Sequence, residues 1–143
     1  MECMSRDVCL TNPNASIQGA AKAMADCEVG ALPVGQNDRL IGMVTDRDIA
    51  VRGVAVGLDP RTTPVREVMS DTINYCYANE DVETVAANMA ELQVRRLPVL
   101  DRGKRLVGMV SLGDIARAAE ADVTGRALRE VSQPQRHLNA AEP

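Results

Sequence analysis

The chain carries one long internal repeat. Residues 24–50 and 89–116 share an order of short patterns in which Leu-Pro-Val comes first, Gly-Met-Val second and Asp-Ile-Ala last. Leu32 matches Leu97 and Gly42 matches Gly108, with one extra residue between the two patterns in the second copy. A period this long indicates a duplicated supersecondary unit rather than a solenoid. Each copy is too short to bury a good core alone, so we expect the copies to pack with pseudo-two-fold symmetry and to form paired clefts.

Length, charge and composition exclude several classes of protein. A chain of 143 residues fits one compact domain made of two halves. The net charge of −4 and the near absence of aromatic residues, which are only Tyr75 and Tyr77, argue against a nucleic-acid partner. The sequence has no apolar run long enough for a membrane span. Its N-terminus lacks the basic-then-apolar pattern of a signal peptide, so we expect a cytoplasmic protein.

The four cysteines do not form a metal-binding pattern. Cys3, Cys9, Cys27 and Cys76 include no Cys-x-x-Cys pair, and the one histidine is His137, near the C-terminus. A zinc site needs about four ligands, usually in closely spaced pairs, so we predict no metal site. We interpret the cysteines as small buried apolar residues in a reducing compartment. The alternative is a redox role for Cys9 and Cys76, which lie near corresponding places in the two copies.

Each copy has the pattern of an α+β unit with the order β-α-β-β-α. In the first copy we predict a strand at 8–10, a helix capped by Asn14, strands at 31–34 and 40–44, and a helix from Asp46. The second copy repeats this pattern with Asn79 as the cap, and a further helix is predicted over 123–131. The predicted organisation is a first repeat at 1–56, a linker with a short helix at 57–68, a second repeat at 69–121, and a C-terminal helix and flexible tail at 122–143.

The candidate binding motif is the place where the last strand of each copy turns into a helix. It reads Gly42 to Asp48 in the first copy and Gly108 to Asp114 in the second. Free N–H groups and the positive end of a helix dipole favour an anion at such a position. Thr45 or Ser111 can donate a hydroxyl hydrogen to a phosphate, and Asp48 or Asp114 can accept two hydrogen bonds from a vicinal diol such as ribose.

The same motif has a purely structural interpretation. Thr-x-x-Asp at a helix start resembles a capping box, which satisfies the first N–H groups of the helix without a ligand. Gly42 and Gly108 leave room for a ligand or for a neighbouring backbone. Recurrence in both copies does not separate the two interpretations, because duplication copies helix caps as well.

Taken together, these motifs resemble a tandem pair of cystathionine beta-synthase (CBS) domains over roughly residues 1 to 120. The resemblance rests on the Met-Ser start of each copy, the Leu-Pro-Val strand, and Gly-hydrophobic-x-Thr/Ser-x-x-Asp before the last helix. It implies two repeats in a pseudo-symmetric disc, often a dimer of such pairs, and an adenosine-containing ligand in the clefts between repeats: AMP, ADP, ATP, S-adenosylmethionine or NAD. It also implies that Thr45 and Ser111 contact phosphate and that Asp48 and Asp114 contact ribose.

The two predicted clefts differ in charge. Arg95 and Arg96 precede Leu-Pro-Val in the second copy, where the first copy has Gly30 and Ala31. In the family, basic residues at this place can reach a phosphate held at the partner repeat, so we expect the two arginines to serve the cleft of Asp48. Arg47 stands where the second copy has Gly113, which adds charge to the same motif. We therefore hypothesise a strong anion site at Asp48 and a weak or empty one at Asp114, while a solvated strand edge is the alternative role for the arginines.

These observations predict a regulatory module rather than an enzyme. The chain lacks a pattern that combines a nucleophile with an orienting base, and it contains no evident effector domain. We expect a homodimer that binds an adenosine nucleotide and signals by a shift of population to an unknown effector protein. The alternatives are a ligand-free dimerisation or interaction module and, third, a redox-responsive stress protein.

Overall fold

A computed structural model describes residues 3–6, 8–118 and 121–134, and it divides the chain into two compact units. The first-repeat unit comprises the described parts of 7–73 together with 102–106. The second-repeat unit comprises the described parts of 1–6, 74–101 and 107–143. Within the described part of the chain, no helix is long and apolar enough to cross a membrane.

The first-repeat unit combines one long helix, a hairpin and two short helical segments. Its elements are α1 (Ile17–Cys27), β1 (Ala31–Gln36), β2 (Arg39–Thr45), α2 (Asp46–Asp48), a π-helix (Ile49–Val54) and a 3-10 helix (Val65–Glu67). Strands β1 and β2 are antiparallel, and Asn37 and Asp38 both have positive φ in the two-residue turn between them. Such a turn matches the right-handed twist of the flanking strands. The core contains Ile17, Ala20, Met24, Leu32, Val34, Val44, Ile49, Val65 and Val68.

The second-repeat unit repeats this plan and adds a helix. Its elements are β3 (Cys76–Tyr77), α3 (Val82–Leu92), β4 (Arg96–Leu100), β5 (Leu106–Ser111), α4 (Leu112–Ala118) and α5 (Ala121–Val131). The strands form a sheet in the order β3-β4-β5, with β3 parallel to β4. The core contains Met4, Cys76, Val85, Ala86, Met89, Leu97, Val99, Val110, Leu112, Ile115 and Ala127. The predicted α+β fold is confirmed.

The Met-Ser segments that open the repeats pair with the last strand of the opposite repeat. Ser70 and Met43 exchange backbone hydrogen bonds of 2.8 and 2.9 Å in the first-repeat unit. Ser5 and Met109 exchange bonds of 2.7 and 2.9 Å in the second-repeat unit. Each unit therefore contains one repeat and the Met-Ser segment that precedes the other repeat, so the compact units divide the chain differently from the predicted repeat boundaries.

The predicted helix caps were wrong by two residues. Ser16 caps α1 by accepting a hydrogen bond from the Gly19 N–H, and Asp81 caps α3 by accepting one from Thr84. Both are good N-cap residues, and each stands directly before its helix. Asn14 instead accepts a hydrogen bond from the Arg66 side chain.

Two boundaries in the chain also differ from expectation. Residues 8–10 do not form a strand, and the pairing of this segment with β1 is a single bridge from Thr11 to Val34. The C-terminal helix is present and begins at Ala121. Residues 135–143 of the predicted tail lie outside the described residues.

The prediction of four unlinked cysteines was wrong for one pair. Cys9 and Cys27 form a disulfide that joins the segment before Thr11 to the end of α1. Cys76 is buried and reduced, and Cys3 is a half-buried thiol. Thr11 pairs with Val34 as Cys76 pairs with Val99, so Cys76 corresponds to Thr11 rather than to Cys9.

Candidate functional site

Both copies of the Thr/Ser-x-x-Asp motif form a capping box. The Thr45 hydroxyl accepts a 3.0 Å hydrogen bond from the Asp48 N–H, and Asp48 Oδ2 accepts one of 3.0 Å from the Thr45 N–H. Ser111 and Asp114 make the same pair of contacts at 3.0 and 2.9 Å. The capping interpretation therefore describes these side chains in the structure. A ligand would have to form hydrogen bonds with the carboxylate oxygen that the capping box does not use.

The two carboxylates differ in what their second oxygen contacts. Arg117 lies one turn further along α4 and donates a hydrogen bond to Asp114 Oδ1, which forms an ion pair. In the first repeat the corresponding position is Val51, which cannot make this contact. Among the described residues, Oδ1 of Asp48 has no hydrogen-bond partner. Asp48 is therefore the carboxylate with an oxygen available for a new donor.

The second-repeat unit contains a basic cavity at the start of α4. The cavity has a volume of about 430 Å³ and is lined by Arg95, Arg96, Ser111, Leu112, Gly113, Ala116 and Leu128. The Leu112 N–H donates a 2.8 Å hydrogen bond to the Arg95 carbonyl, which holds the start of β4 against the start of α4. Both arginines are exposed. Two positive charges and a hydroxyl thus surround a space large enough for a small ligand.

The corresponding place in the first-repeat unit has the same backbone and the opposite charge. The Asp46 N–H donates a 2.9 Å hydrogen bond to the Gly30 carbonyl, as Leu112 does to Arg95. An added Cβ at Gly30 would lie 3.1 Å from Asp46 Oδ2, so a carboxylate lies beside the position that carries Arg95 in the second repeat. The cavity beside Asp46 is about 320 Å³ and otherwise lined by Ala21, Met24, Ala25, Val29, Ile49, Ala50 and Val54. This apolar cavity offers little to an anion.

The glycines of the motif face a neighbouring backbone. An added Cβ at Gly42 would lie 2.6 Å from the Ser70 carbonyl oxygen, and one at Gly108 would lie 2.7 Å from that of Ser5. Gly42, which the sequence suggested as a ligand contact, is therefore required first for the close approach of the Met-Ser segment.

The predicted site residues are divided between the two units. Gly42, Thr45, Arg47 and Asp48 belong to the first-repeat unit, and Arg95, Arg96, Ser111 and Asp114 to the second-repeat unit. The structure brings Arg95, Arg96 and Ser111 to one cavity. Arg47 is exposed, and its N–H donates to Asp46 Oδ1 at 2.8 Å. The expectation that the arginines act on a ligand held at Asp48 joins residues of different units and stays a prediction.

Sequence reasoning missed two residues of the site. Arg117 follows Asp114 by one helical turn, a spacing that is visible in the sequence. Leu128 lies in α5, outside the repeated pattern, so comparison of the two copies could not identify it.

Comparison with known proteins explains why this geometry occurs twice. The sequence matches the CBS domain over residues 1–53 and again over residues 65–121. The chain belongs to the CBS-domain family. The CBS domain-containing protein YhcV of Bacillus subtilis is 42% identical over 137 residues, which cover 95% of this chain and 96% of YhcV. Hypoxic response protein 1 of Mycobacterium tuberculosis is 43% identical over 117 residues, or 81% of each chain.

Two solved structures extend the comparison to the CBS fold. The crystal structure of Hypoxic Response Protein I, which holds two coordinated zinc ions, has a TM-score of 0.75 at 41% identity and covers 83% of this chain and 97% of that one. The CBS pair of protein MJ0100, in complex with 5′-methylthioadenosine and S-adenosyl-L-methionine, has a TM-score of 0.71 at 27% identity, covering 82% and 91%. Among the described residues of the present chain, no group of three or more His, Cys, Asp or Glu side chains could hold a metal ion. CBS pairs are regulatory ligand-binding modules, and some bind adenosine derivatives.

Proposed function

We propose that this CBS-domain protein is a non-enzymatic cytoplasmic regulator that binds an adenosine-containing nucleotide of the AMP, ADP or ATP class. NAD and S-adenosylmethionine are the other candidates, and the second of these is bound by the MJ0100 pair. The observation that carries the proposal is the cavity in which Arg95 and Arg96 flank Ser111 at a helix start. The proposed site consists of Gly42, Thr45, Arg47, Asp48, Arg95, Arg96, Ser111 and Asp114.

The phosphate end of the ligand is assigned to the two arginines and the hydroxyl. Guanidinium groups donate hydrogen bonds to phosphate in pairs and keep their charge at all relevant pH values. The Ser111 hydroxyl oxygen accepts a hydrogen bond from the Asp114 N–H, so the hydroxyl hydrogen remains for a phosphate oxygen. The whole chain has a net charge of −4, so its overall electrostatic field repels anions. The two arginines provide the local positive charge that attracts a phosphate despite this field.

The sugar end is assigned to Asp48. Its Oδ1 can accept hydrogen bonds from the ribose hydroxyls while Oδ2 still accepts the hydrogen bond from the Thr45 N–H. Asp114 could do so only if Arg117 were displaced, which supports a weaker site at the second motif. The open Oδ1 of Asp48 supports the hypothesis drawn from the sequence for the sugar end of the ligand only. The two arginines lie beside Ser111, in the motif that the hypothesis treated as the weaker anion site.

The first test is isothermal titration with AMP, ADP, ATP, NAD and S-adenosylmethionine, followed by thermal unfolding with the ligand that binds. At 100 times its dissociation constant a ligand adds about 2.7 kcal/mol to stability, which raises the melting temperature by several degrees. Asp48→Ala should weaken binding by more than about tenfold, a loss of ~1.4 kcal/mol. Asp114→Ala is the comparison variant: it also removes one capping box, and it should weaken binding less because Arg117 occupies the second oxygen of Asp114.

A second pair of variants tests the phosphate assignment. Joint replacement of Arg95 and Arg96 by alanine should lower the affinity for ATP more than the affinity for adenosine. Joint replacement of the exposed Arg102 and Lys104 removes the same charge from a turn and should change neither affinity much. A double-mutant cycle with Asp48→Ala measures whether both groups act on one ligand, since coupled groups give interaction energies of about 0.5–3 kcal/mol. Equal losses for Asp48→Ala and Asp114→Ala, or no binding by any compound, would refute the proposal.

A second candidate function, an interaction or homodimerisation module, is favoured by an exposed apolar surface. Val51, Val54 and Val56 are 48, 62 and 65% exposed and lie within six residues of one another on the first-repeat unit. Such clusters on soluble proteins commonly mark interaction sites. Val54→Asp should lower the molar mass measured by sedimentation if this surface holds a homodimer, and an unchanged mass would exclude the surface. The effector protein would be recognised by whichever surface the ligand alters.

A further inference from the structure

Helix α5 packs against the core of the second-repeat unit. Ala127 is 2% exposed and belongs to the core, and Val123 packs against the same core. A cavity of about 490 Å³ lies between α5 and α3, and its walls include Ala86 and Ala90. Small side chains at this contact let the two helices approach closely, and the cavity leaves part of the contact unpacked.

The C-terminal end of α5 is held by the side chain of the residue that follows α3. Gln93 follows α3 in the left-handed conformation, with φ of 56°. Its side-chain amide donates to the carbonyls of Glu130, Gln133 and Pro134 at 3.3, 3.5 and 3.4 Å. These carbonyls lie in and just after the last turn of α5, and that of Glu130 also accepts a 3.2 Å hydrogen bond from the Gln133 N–H. Gln93 therefore closes the end of α5 from a position two residues before Arg95.

The middle of α5 forms a wall of the basic cavity. Leu128 is 46% exposed and lines that cavity together with Arg95, Arg96 and Ser111. Leu112 also lines the cavity but is 8% exposed, so Leu128 is the large apolar side chain with surface open to a ligand. A ligand that carries an apolar ring beside its phosphate would bury part of this leucine.

We infer that Leu128 selects for a ligand with a planar base, whose ring face can pack on the leucine, and that α5 reports the occupancy of the cavity. The inference rests on the proposed function and adds to it the element through which binding is transmitted. A ligand in the cavity contacts Leu128 only when α5 is docked, so binding stabilises docking. By linkage, docking must strengthen binding by the same factor. The surface of α5 and the chain that follows it then carry the signal to a partner.

The first repeat provides a matched control for the contact at the end of α5. Glu28 stands at the position of Gln93, with the same φ of 56°. No helix like α5 follows the first repeat among the described residues. Gln93→Glu replaces donors with a carboxylate that faces three carbonyls at the negative end of a helix, which should release α5. Glu28→Gln changes the equivalent residue without affecting α5.

The experiment measures amide hydrogen exchange of residues 121–131 in the full chain, with and without AMP and with and without inorganic pyrophosphate. AMP should slow exchange in α5 of the wild type. Gln93→Glu should speed exchange without ligand and weaken AMP, whereas Glu28→Gln should change neither. Leu128→Ala should weaken AMP about fivefold, because the ligand loses roughly 40 Å² of apolar contact, and should weaken pyrophosphate less. Leu128 is half exposed, so this variant does not endanger the fold.

The outcomes separate the linkage from the nucleotide-binding function. Binding of AMP that depends on Arg95, with α5 exchange and the Leu128→Ala affinity unchanged, would overturn the linkage alone. Binding of pyrophosphate without binding of AMP would remove the adenosine ligand. Slowing of α5 exchange by pyrophosphate would overturn the role of Leu128, because pyrophosphate has no ring to contact it. Failure of both compounds to bind would overturn both.

Discussion

Replacement of Gly42 by alanine should destabilise the protein although it adds a single methyl group. The new Cβ would lie 2.6 Å from the Ser70 carbonyl oxygen and 3.1 Å from Met69 Sδ. The sulfur can move, but the carbonyl is fixed by the two backbone hydrogen bonds that Ser70 exchanges with Met43. Separation of the two segments weakens two bonds of about 1 kcal/mol each. Strain of overpacking adds about 1–3 kcal/mol, so we expect a loss of roughly 3 kcal/mol.

The assay is urea unfolding at equilibrium, followed by circular dichroism and supported by the melting temperature. A loss of this size should lower the melting temperature by about 10 °C for a chain of this length. Gly125→Ala is the control, because an added Cβ there meets nothing within 4 Å and the residue lies within α5. Alanine at an exposed helical glycine should stabilise by about 0.5–1 kcal/mol. A loss below ~1 kcal/mol for Gly42→Ala, or an equal loss for Gly125→Ala, would refute the argument.

Three further predictions follow from the asymmetry of the site and from the cysteines. Arg117→Ala removes the partner of Asp114 Oδ1, so titration calorimetry should detect a second, weaker nucleotide site. An unchanged binding stoichiometry would contradict the role given to this ion pair. The Cys9–Cys27 disulfide closes a loop of 18 residues, so its reduction should lower the free energy of unfolding by about 3 kcal/mol if the effect is chain entropy. Urea unfolding with and without dithiothreitol measures this loss. The stability of Cys9→Ser should not respond to the reductant. Burial raises the pKa of the Cys76 thiol from 9.0 to about 12, so the folded state keeps a proton that the unfolded chain loses. Stability from this group is therefore full below pH 9 and declines as the pH rises towards 12, and Cys76→Ala should abolish that decline.

The repeat predicted the elements well because both copies carry the same local signals. The apolar spacing of Ile17 and Met24 identified α1, and Leu-Pro-Val identified β1 and β4. The caps were misplaced because Asn14 and Ser16 are both good cap residues, and only the structure shows that Asn14 contacts Arg66 instead. Local preference could not decide between two residues so close together.

The site was harder to predict, because its asymmetry comes from residues that lie outside the motifs. The Ser-x-x-Asp pattern could not reveal that Arg117 occupies the second carboxylate. Leu128 reaches the cavity only because α5 folds back onto α3. The disulfide was missed because Cys9 and Cys27 become neighbours only when the segment before Thr11 lies beside the end of α1. Each of these features depends on tertiary packing, which a periodic pattern does not encode.

The exchanged Met-Ser segments determine the order in which the protein can be completed during synthesis. Ser5 leaves the ribosome before its partner Met109, which follows about 5–20 s later at ordinary rates of translation. Ser70, in contrast, follows Met43 closely and can close the first-repeat unit early. The sheet of the second-repeat unit therefore stays one segment short until most of the chain exists. A contiguous fragment of either repeat would lack the Met-Ser segment that completes its fold. A circular permutant that begins after residue 6 would instead carry the segment with Ser5 at its C-terminal end, after the second repeat.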